Sequence, residues 1–284
     1  MTAAALLLVV GAAVLHAGWN ALAKRGGDPV VFLWCVGVVA SVVYTPIALT
    51  ALWPAGVPTA AVPFVLGTVI LHAAYFFTLG RAYGSGDFSL VYPIARGLGV
   101  ALVPLAALAL FDERLSPLGS LGVILVAAGI FVLHWRPGGW GRAALGGSGT
   151  GWALATGVLI AAYSLLDKAG VARISPLAYI WLMEVGSCAL LTPVALAKRG
   201  VMRREWRINR GTIVAAALMS PTAYLLVLFA FQLSKTGYVV AAREMSIVLS
   251  AIIGSVWMKE GALGPRLAGA GVVLAGVACV AFAR

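Results

Sequence analysis

Apolar residues run along this chain in stretches of about twenty, broken by short clusters of charge, glycine and proline. Stretches of that length read as helices crossing a hydrocarbon core about 30 Å thick. Ten can be set out, at 3–23, 29–51, 60–82, 87–110, 116–134, 151–171, 176–197, 211–233, 236–258 and 262–283. The two longer connections are the glycine-rich Trp135–Thr150 and the basic run Lys198–Arg210. The pattern predicts an all-α integral membrane protein of ten transmembrane helices, multi-pass in the cell membrane. The first apolar stretch has no positive segment before it and no convincing cleavage site, and further spans follow at once, so it reads as a first helix and not as a signal peptide.

Landmarks recur along the chain. At an offset of 147 residues Pro29 meets Pro176, Trp34 meets Trp181, and Thr45-Pro46 meets Thr192-Pro193. At the same offset Ala95-Arg96 meets Ala242-Arg243, Glu113 meets Glu260, Gly122 meets Gly269 and Gly129 meets Gly276. Near the first helix the offset is 144, pairing Trp19 with Tyr163 and Lys24 with Lys168. The third and eighth stretches match less clearly. This internal repeat predicts two five-helix units, residues 1–135 and 151–284, joined by a linker at 136–150. An odd number of spans per unit points consecutive copies in opposite directions, the inverted-topology plan of secondary transporters.

Composition supports the membrane reading. The chain of 284 residues is 62% hydrophobic and 10% charged, against roughly 25% charged in a soluble domain. The net charge of +11 suits basic loops facing an anionic leaflet better than a nucleic-acid partner. With Arg96 and Arg243 set aside as lying within spans, 13 of the other 18 Lys and Arg fall on one side of the predicted topology. That bias places both termini outside, although the 198–210 run dominates it. The three cysteines are scattered through apolar stretches and read as core thiols, with no metal set and no cofactor implied.

The end of each half carries a further pattern. In the first it reads Leu90-Val91-Tyr92-Pro93 through Phe111-Asp112-Glu113-Arg114-Leu115, followed by Gly122 and Gly129. In the second it reads from Val239 through Trp257-Met258-Lys259-Glu260, followed by Gly269 and Gly276. Together with His16-Ala17-Gly18-Trp19-Asn20 and Lys24, these motifs resemble the drug/metabolite transporter superfamily, EamA type. The resemblance implies a ten-helix transporter with a central cavity that moves a small metabolite, often outward. Its known members handle amino acids, nucleotide-related solutes and drugs. It also implies both termini in the cytoplasm, against the loop charges.

Ionisable groups inside a membrane are costly and face cavities or partners. Arg96, its repeat mate Arg243, Glu244 and Glu184 are such groups, two positive and two negative. One reading is a central site in which the arginines receive a carboxylate or phosphate and the glutamates receive an amine or a coupled proton. The other is an ion pair between helices, with Glu184 on Arg96 or Arg243. Neighbours on a helix point about 100° apart, so Arg243 and Glu244 are not expected to be each other's main partner. His16 with Trp19 and Asn20, and His72 with Tyr75, put polar and aromatic groups on one helical face. Tyr92 and Tyr163 complete the candidate set. Asp167, Lys168 and Glu113 read as local pairing, snorkelling and capping. The glycines on the fifth and tenth stretches read as close helix packing.

No nucleophile, metalloprotease or Walker pattern occurs, so catalysis and direct use of ATP are not expected. The expected function is a secondary transporter, an exporter or exchanger of a small zwitterionic or anionic metabolite such as an amino acid, working by alternating access. The expected partners are the solute, the lipid bilayer and a proton as candidate coupling ion, in a monomer or homodimer. The alternatives are a membrane-embedded enzyme and a channel-like component.

Overall fold

The computed structural model describes residues 1–23, 27–85, 88–133, 147–249 and 263–283. They form ten principal helices and, among the described residues, no strand. These are α1 (Ala3–Ala23), α2 (Pro29–Leu52), α3 (Val62–Ser85), α4 (Phe88–Phe111), α5 (Pro117–Leu133), α6 (Ser148–Gly170), α7 (Pro176–Leu196), α8 (Arg199–Leu233), α9 (Thr236–Arg243) and α10 (Leu263–Phe282). Seven of them are long and apolar enough to cross a membrane, and α5 and most of α10 are shorter apolar helices. Large apolar side chains such as Leu7, Val42, Leu66, Leu105 and Ile124 stand exposed on the outside. A surface of that kind suits lipid and not water.

Two elements differ from the expected pattern. The basic run 199–210 is helical and lengthens α8 to 35 residues. At about 1.5 Å per residue α8 reaches about 52 Å, so its basic end projects beyond a core of about 30 Å. The run folds because Arg, Met and Glu favour helix and because its inner face has partners. Met202 packs against the cluster containing Trp19, Phe32 and Val36. Glu205 is buried and accepts from Gly27 N at 2.7 Å and from Asn209 Nδ2 at 3.1 Å. The ninth span, expected as one helix, is interrupted. After α9 the chain turns at Glu244, whose N–H bonds Ala241 three residues back, and helix resumes over 245–249. The rest of that span, Glu260 and most of the linker lie outside the described residues.

Helix packing is reciprocal between the halves. α1 packs on α8, and α3 packs on α6. α2 packs on α7, and α5 on α10. Repeat-related residues make the same bond in both directions: Trp34 Nε1 donates to Thr192 Oγ1 at 3.1 Å, and Trp181 Nε1 donates to Thr45 Oγ1 at 3.1 Å. The α5–α10 seam is equally two-sided. A Cβ on Gly122 would lie 2.7 Å from the carbonyl oxygen of Gly276, and one on Gly276 would lie 2.7 Å from that of Gly122. Glycine lets these backbones touch where lipid offers no hydrophobic push between helices. Gly122→Val and Gly276→Val should each destabilise the protein by about 1–3 kcal/mol through overpacking. Gly271→Val, where a Cβ meets nothing, should not. Thermal unfolding in detergent checks this, and equal melting of all three variants would contradict it.

Candidate functional site

The turn at Glu244 sets the site. Helix α9 brings Arg243 inward, and the turn turns Glu244 toward α4 from the first half. There Arg96 Nε donates to Glu244 Oε2 at 2.9 Å, and Arg96 Nη2 lies 2.9 Å from Oε1 as an ion-pair contact without an aligned N–H. Both side chains are buried. Arg243 is buried as well, but its Nε is 3.7 Å from Glu244 Oε1, and its Nε and Nη2 have no hydrogen-bond partner. The observed pair is thus Arg96 with Glu244, and not Glu184 with either arginine. As expected from helix geometry, Glu244 is not the main partner of its neighbour.

Arg243 opens on a cavity of about 50 Å³ between the halves, room for several water molecules. Of the residues expected at the site, His16, Trp19, His72, Tyr75, Arg96, Tyr163, Glu184 and Arg243 line it. Asn20, Tyr92 and Glu244 do not. Asn20 Nδ2 is turned onto the carbonyl of His16 at 2.7 Å. Tyr92 packs against the main core. Glu184 lines the cavity with no hydrogen bond or ion pair among the described residues. Trp19 Nε1 donates to His16 Nδ1 at 3.1 Å, fixing that nitrogen as an acceptor. Aromatic rings form much of the wall: His72 stacks at 4.3 Å from Tyr163 and meets Tyr224 at 5.4 Å.

Three features were missed from sequence. Asp167 is fully buried and is held by two tyrosines of neighbouring helices, Tyr179 OH donating to Oδ1 at 2.7 Å and Tyr224 OH to Oδ2. His72 Nε2 stands 3.9 Å from Oδ2. The available signal was its position four residues after Tyr163, on the same face of α6. Second, Tyr224 and Ser220 of α8 line the cavity; the poor match of the eighth stretch to its repeat mate hid them. Third, Lys168 does not snorkel: its Nζ donates to the carbonyls of Phe231 and, at 2.8 Å, of Ser234, and lies 3.7 Å from Glu113. Glu113 does cap, as expected, accepting from Thr236 N at 2.6 Å at the start of α9.

The comparisons with known proteins bear on this architecture. Residues 147–282 match the EamA-like transporter family. The EamA-like half contributes Tyr163, Glu184, Tyr224 and Arg243 to the cavity. The chain is 27% identical over 85 residues to the multidrug transporter EmrE of Escherichia coli (strain K12), a match covering 30% of this chain and 68% of that protein. It is 38% identical over 62 residues to the spermidine export protein MdtI of Salmonella paratyphi B, covering 22% of this chain and 57% of that protein. The matched stretch thus spans little more than half of the second relative. One solved crystal structure shares the fold over 99% of this chain and 97% of its own, with a TM-score of 0.79 and 19% sequence identity. The protein is a multi-pass membrane protein of transporter type.

Breaking a buried ion pair leaves an uncompensated charge. Arg96→Met and Glu244→Gln should each lower stability by about 3–5 kcal/mol, and the double variant by less than the two losses added together. Thermal unfolding of the three variants in one detergent checks this coupling, and strictly additive losses would contradict the pair.

Proposed function

We propose that the protein is a secondary transporter that exports or exchanges a small zwitterionic or anionic metabolite, an amino acid or a related compound, by alternating access. The observation that carries this reading is the Arg243 guanidinium, buried, facing the cavity and short of hydrogen-bond acceptors. A planar fork of donors in a site of low dielectric suits a carboxylate. With Arg96 and Glu244 committed to each other, Arg243 and Glu184 are left to the solute, one for its acid group and one for its amine. The cavity's rings supply the apolar wall usual for a small-molecule site.

Reciprocal packing supports the mechanism. We take the chain to be two inverted five-helix units, 1–135 and 151–284, joined through 136–150. Two related halves around one midplane site can exchange conformations and open the site first to one side and then to the other. The break in helix at Glu244 fits the discontinuous helices that form such sites. The glycine seam of α5 and α10 is occupied within one chain, which supports a monomer as the working unit. A proton gradient is the proposed energy source.

A second reading is an organic cation as solute. It is favoured by Glu184, by the aromatic wall, which attracts cations through ring faces, and by the printed names of the two relatives, a multidrug transporter and a spermidine exporter.

A ligand that binds only the folded state raises its stability, by about 2.7 kcal/mol at a hundredfold excess over its dissociation constant. Amino acids should raise the melting temperature of the purified protein in detergent, and Arg243→Ala should abolish the rise while Arg96–Glu244 keeps the fold. Nucleosides and polyamines should have no effect. A rise with polyamines alone, lost in Glu184→Ala, would establish the cation reading instead.

A further inference from the structure

Asp167 takes no part in the solute site described above, and it is the most deeply buried carboxylate among the described residues. Three helices converge on it where it stands on α6. Tyr179 of α7 and Tyr224 of α8 donate to its two oxygens, and His72 of α3 faces it from 3.9 Å. Tyrosine hydroxyls stabilise a carboxylate but carry no charge to balance it. The adjacent Lys168 is engaged elsewhere, on the carbonyls of Phe231 and Ser234 and toward Glu113. Among the described residues, His72 is therefore the group positioned to balance the charge of Asp167.

The imidazole is held for that task. Its Nδ1 lies 3.1 Å from the Thr68 carbonyl and 3.0 Å from Thr68 Oγ1. An Nδ1–H donated to that carbonyl leaves Nε2, which faces Asp167, as the basic nitrogen. His72 and Tyr224 line the cavity, whereas Asp167 and Tyr179 stand behind them. The carboxylate thus communicates with the cavity through a histidine and a tyrosine. The other ionisable groups around the pair are His16 on α1, Tyr75 on α3, Tyr163 on α6, Glu184 on α7, Arg243 on α9 and the Arg96–Glu244 pair. Glu184 and Arg243 belong to the solute in our reading, and Arg96 and Glu244 neutralise each other.

We propose that His72 and Asp167 form the proton-binding site of the transport cycle, separate from the solute-binding arginine. A proton from cavity water is taken up on His72 Nε2, its charge is balanced by Asp167 Oδ2, and it returns to cavity water once the opposite side is open. No covalent bond changes other than this N–H. Both His72 and Arg243 line one cavity of low dielectric, so a charge placed at one is felt at the other. Proton and solute occupancies are thereby linked. This inference rests on the transporter reading for its coupling, but not for the proton site itself.

Two measurements test it. The first needs no solute. In pH-difference infrared spectra of the reconstituted protein between about pH 5 and pH 8, where histidine titrates, imidazole bands should appear in wild type. The His72 share of these bands, over that of His16 and His134, should vanish in His72→Gln and shift in Asp167→Asn, and Glu184→Gln should leave it in place. Unchanged imidazole bands in either His72→Gln or Asp167→Asn would overturn the site. The second uses proteoliposomes and a mixture of labelled amino acids. Wild type should accumulate label under an imposed pH gradient of one polarity. Asp167→Asn, at a position that does not line the cavity, should lose at least tenfold of that accumulation while keeping one-for-one exchange, which requires no net proton movement, and His72→Gln should lose the accumulation as well. Accumulation at the wild-type level in a folded variant overturns the proposal. Loss of exchange together with accumulation in Asp167→Asn overturns it too, because the carboxylate would then serve the solute site or the scaffold. If wild type moves no amino acid, the solute reading fails, and the infrared experiment decides the proton site alone.

Discussion

The site is organised by one ion pair, Arg96 with Glu244. Three charged side chains, two from helices α4 and α9 and one from the turn after α9, meet at the centre of an apolar bundle, where an unpaired charge is costly. Glu244 can satisfy only one guanidinium well. It takes Arg96, across the interface between the halves, in two-point contact, and leaves Arg243 at 3.7 Å. The pair therefore does two things. It ties α4 to the chain just after α9, and it leaves one buried guanidinium short of acceptors beside a cavity. A solute bearing an acid group would complete what the protein leaves unfinished.

The scaffold around this pair is built on exchange of contacts between related elements. Trp34 and its repeat counterpart Trp181 reach across to Thr192 and Thr45, themselves repeat counterparts. Gly122 and Gly276 each admit the other's backbone. Such contacts keep their partners if the two halves exchange conformations, which is what a site opened alternately to two sides requires. The closures at one end of the bundle are local and polar. Glu113 caps α9 and draws in Lys168. At the other end Lys198 meets Asp28 at 2.6 Å and Glu205 holds Gly27. Short polar ties of this kind can break without unpacking a core.

Much of this was legible from the residues. Span length and charge located eight helices closely, because lipid imposes one length and one polarity on every crossing. The repeat pointed to the reciprocal partners, since tryptophan, glycine and proline landmarks survive where aliphatic residues interchange freely. Arg96, Arg243, Glu184 and Glu244 stood out as charges in apolar stretches. What the sequence hid were choices among partners. It did not show that Glu244 would take Arg96, because that depends on the turn after α9. Asp167 was hidden because it lies near a helix end, where a charge is unremarkable; its burial comes from Tyr179 and Tyr224, which are remote in sequence. The basic run before residue 211 read as a loop because charge density argued against a span. It is a helix all the same, held on one side by Glu205 and Met202.

The central claim is that Arg243 receives an acid group. Binding of matched solutes tests it most directly: an amino acid, and the amine that differs from it only by loss of the carboxylate, titrated calorimetrically into the same purified protein. The account predicts that the amino acid binds and that the amine binds at least tenfold more weakly, a difference of about 1.4 kcal/mol. It also predicts that Arg243→Ala removes the preference. Equal or tighter binding of the amine would contradict it and would make Glu184 and the aromatic wall, in place of the arginine, the groups that choose the solute.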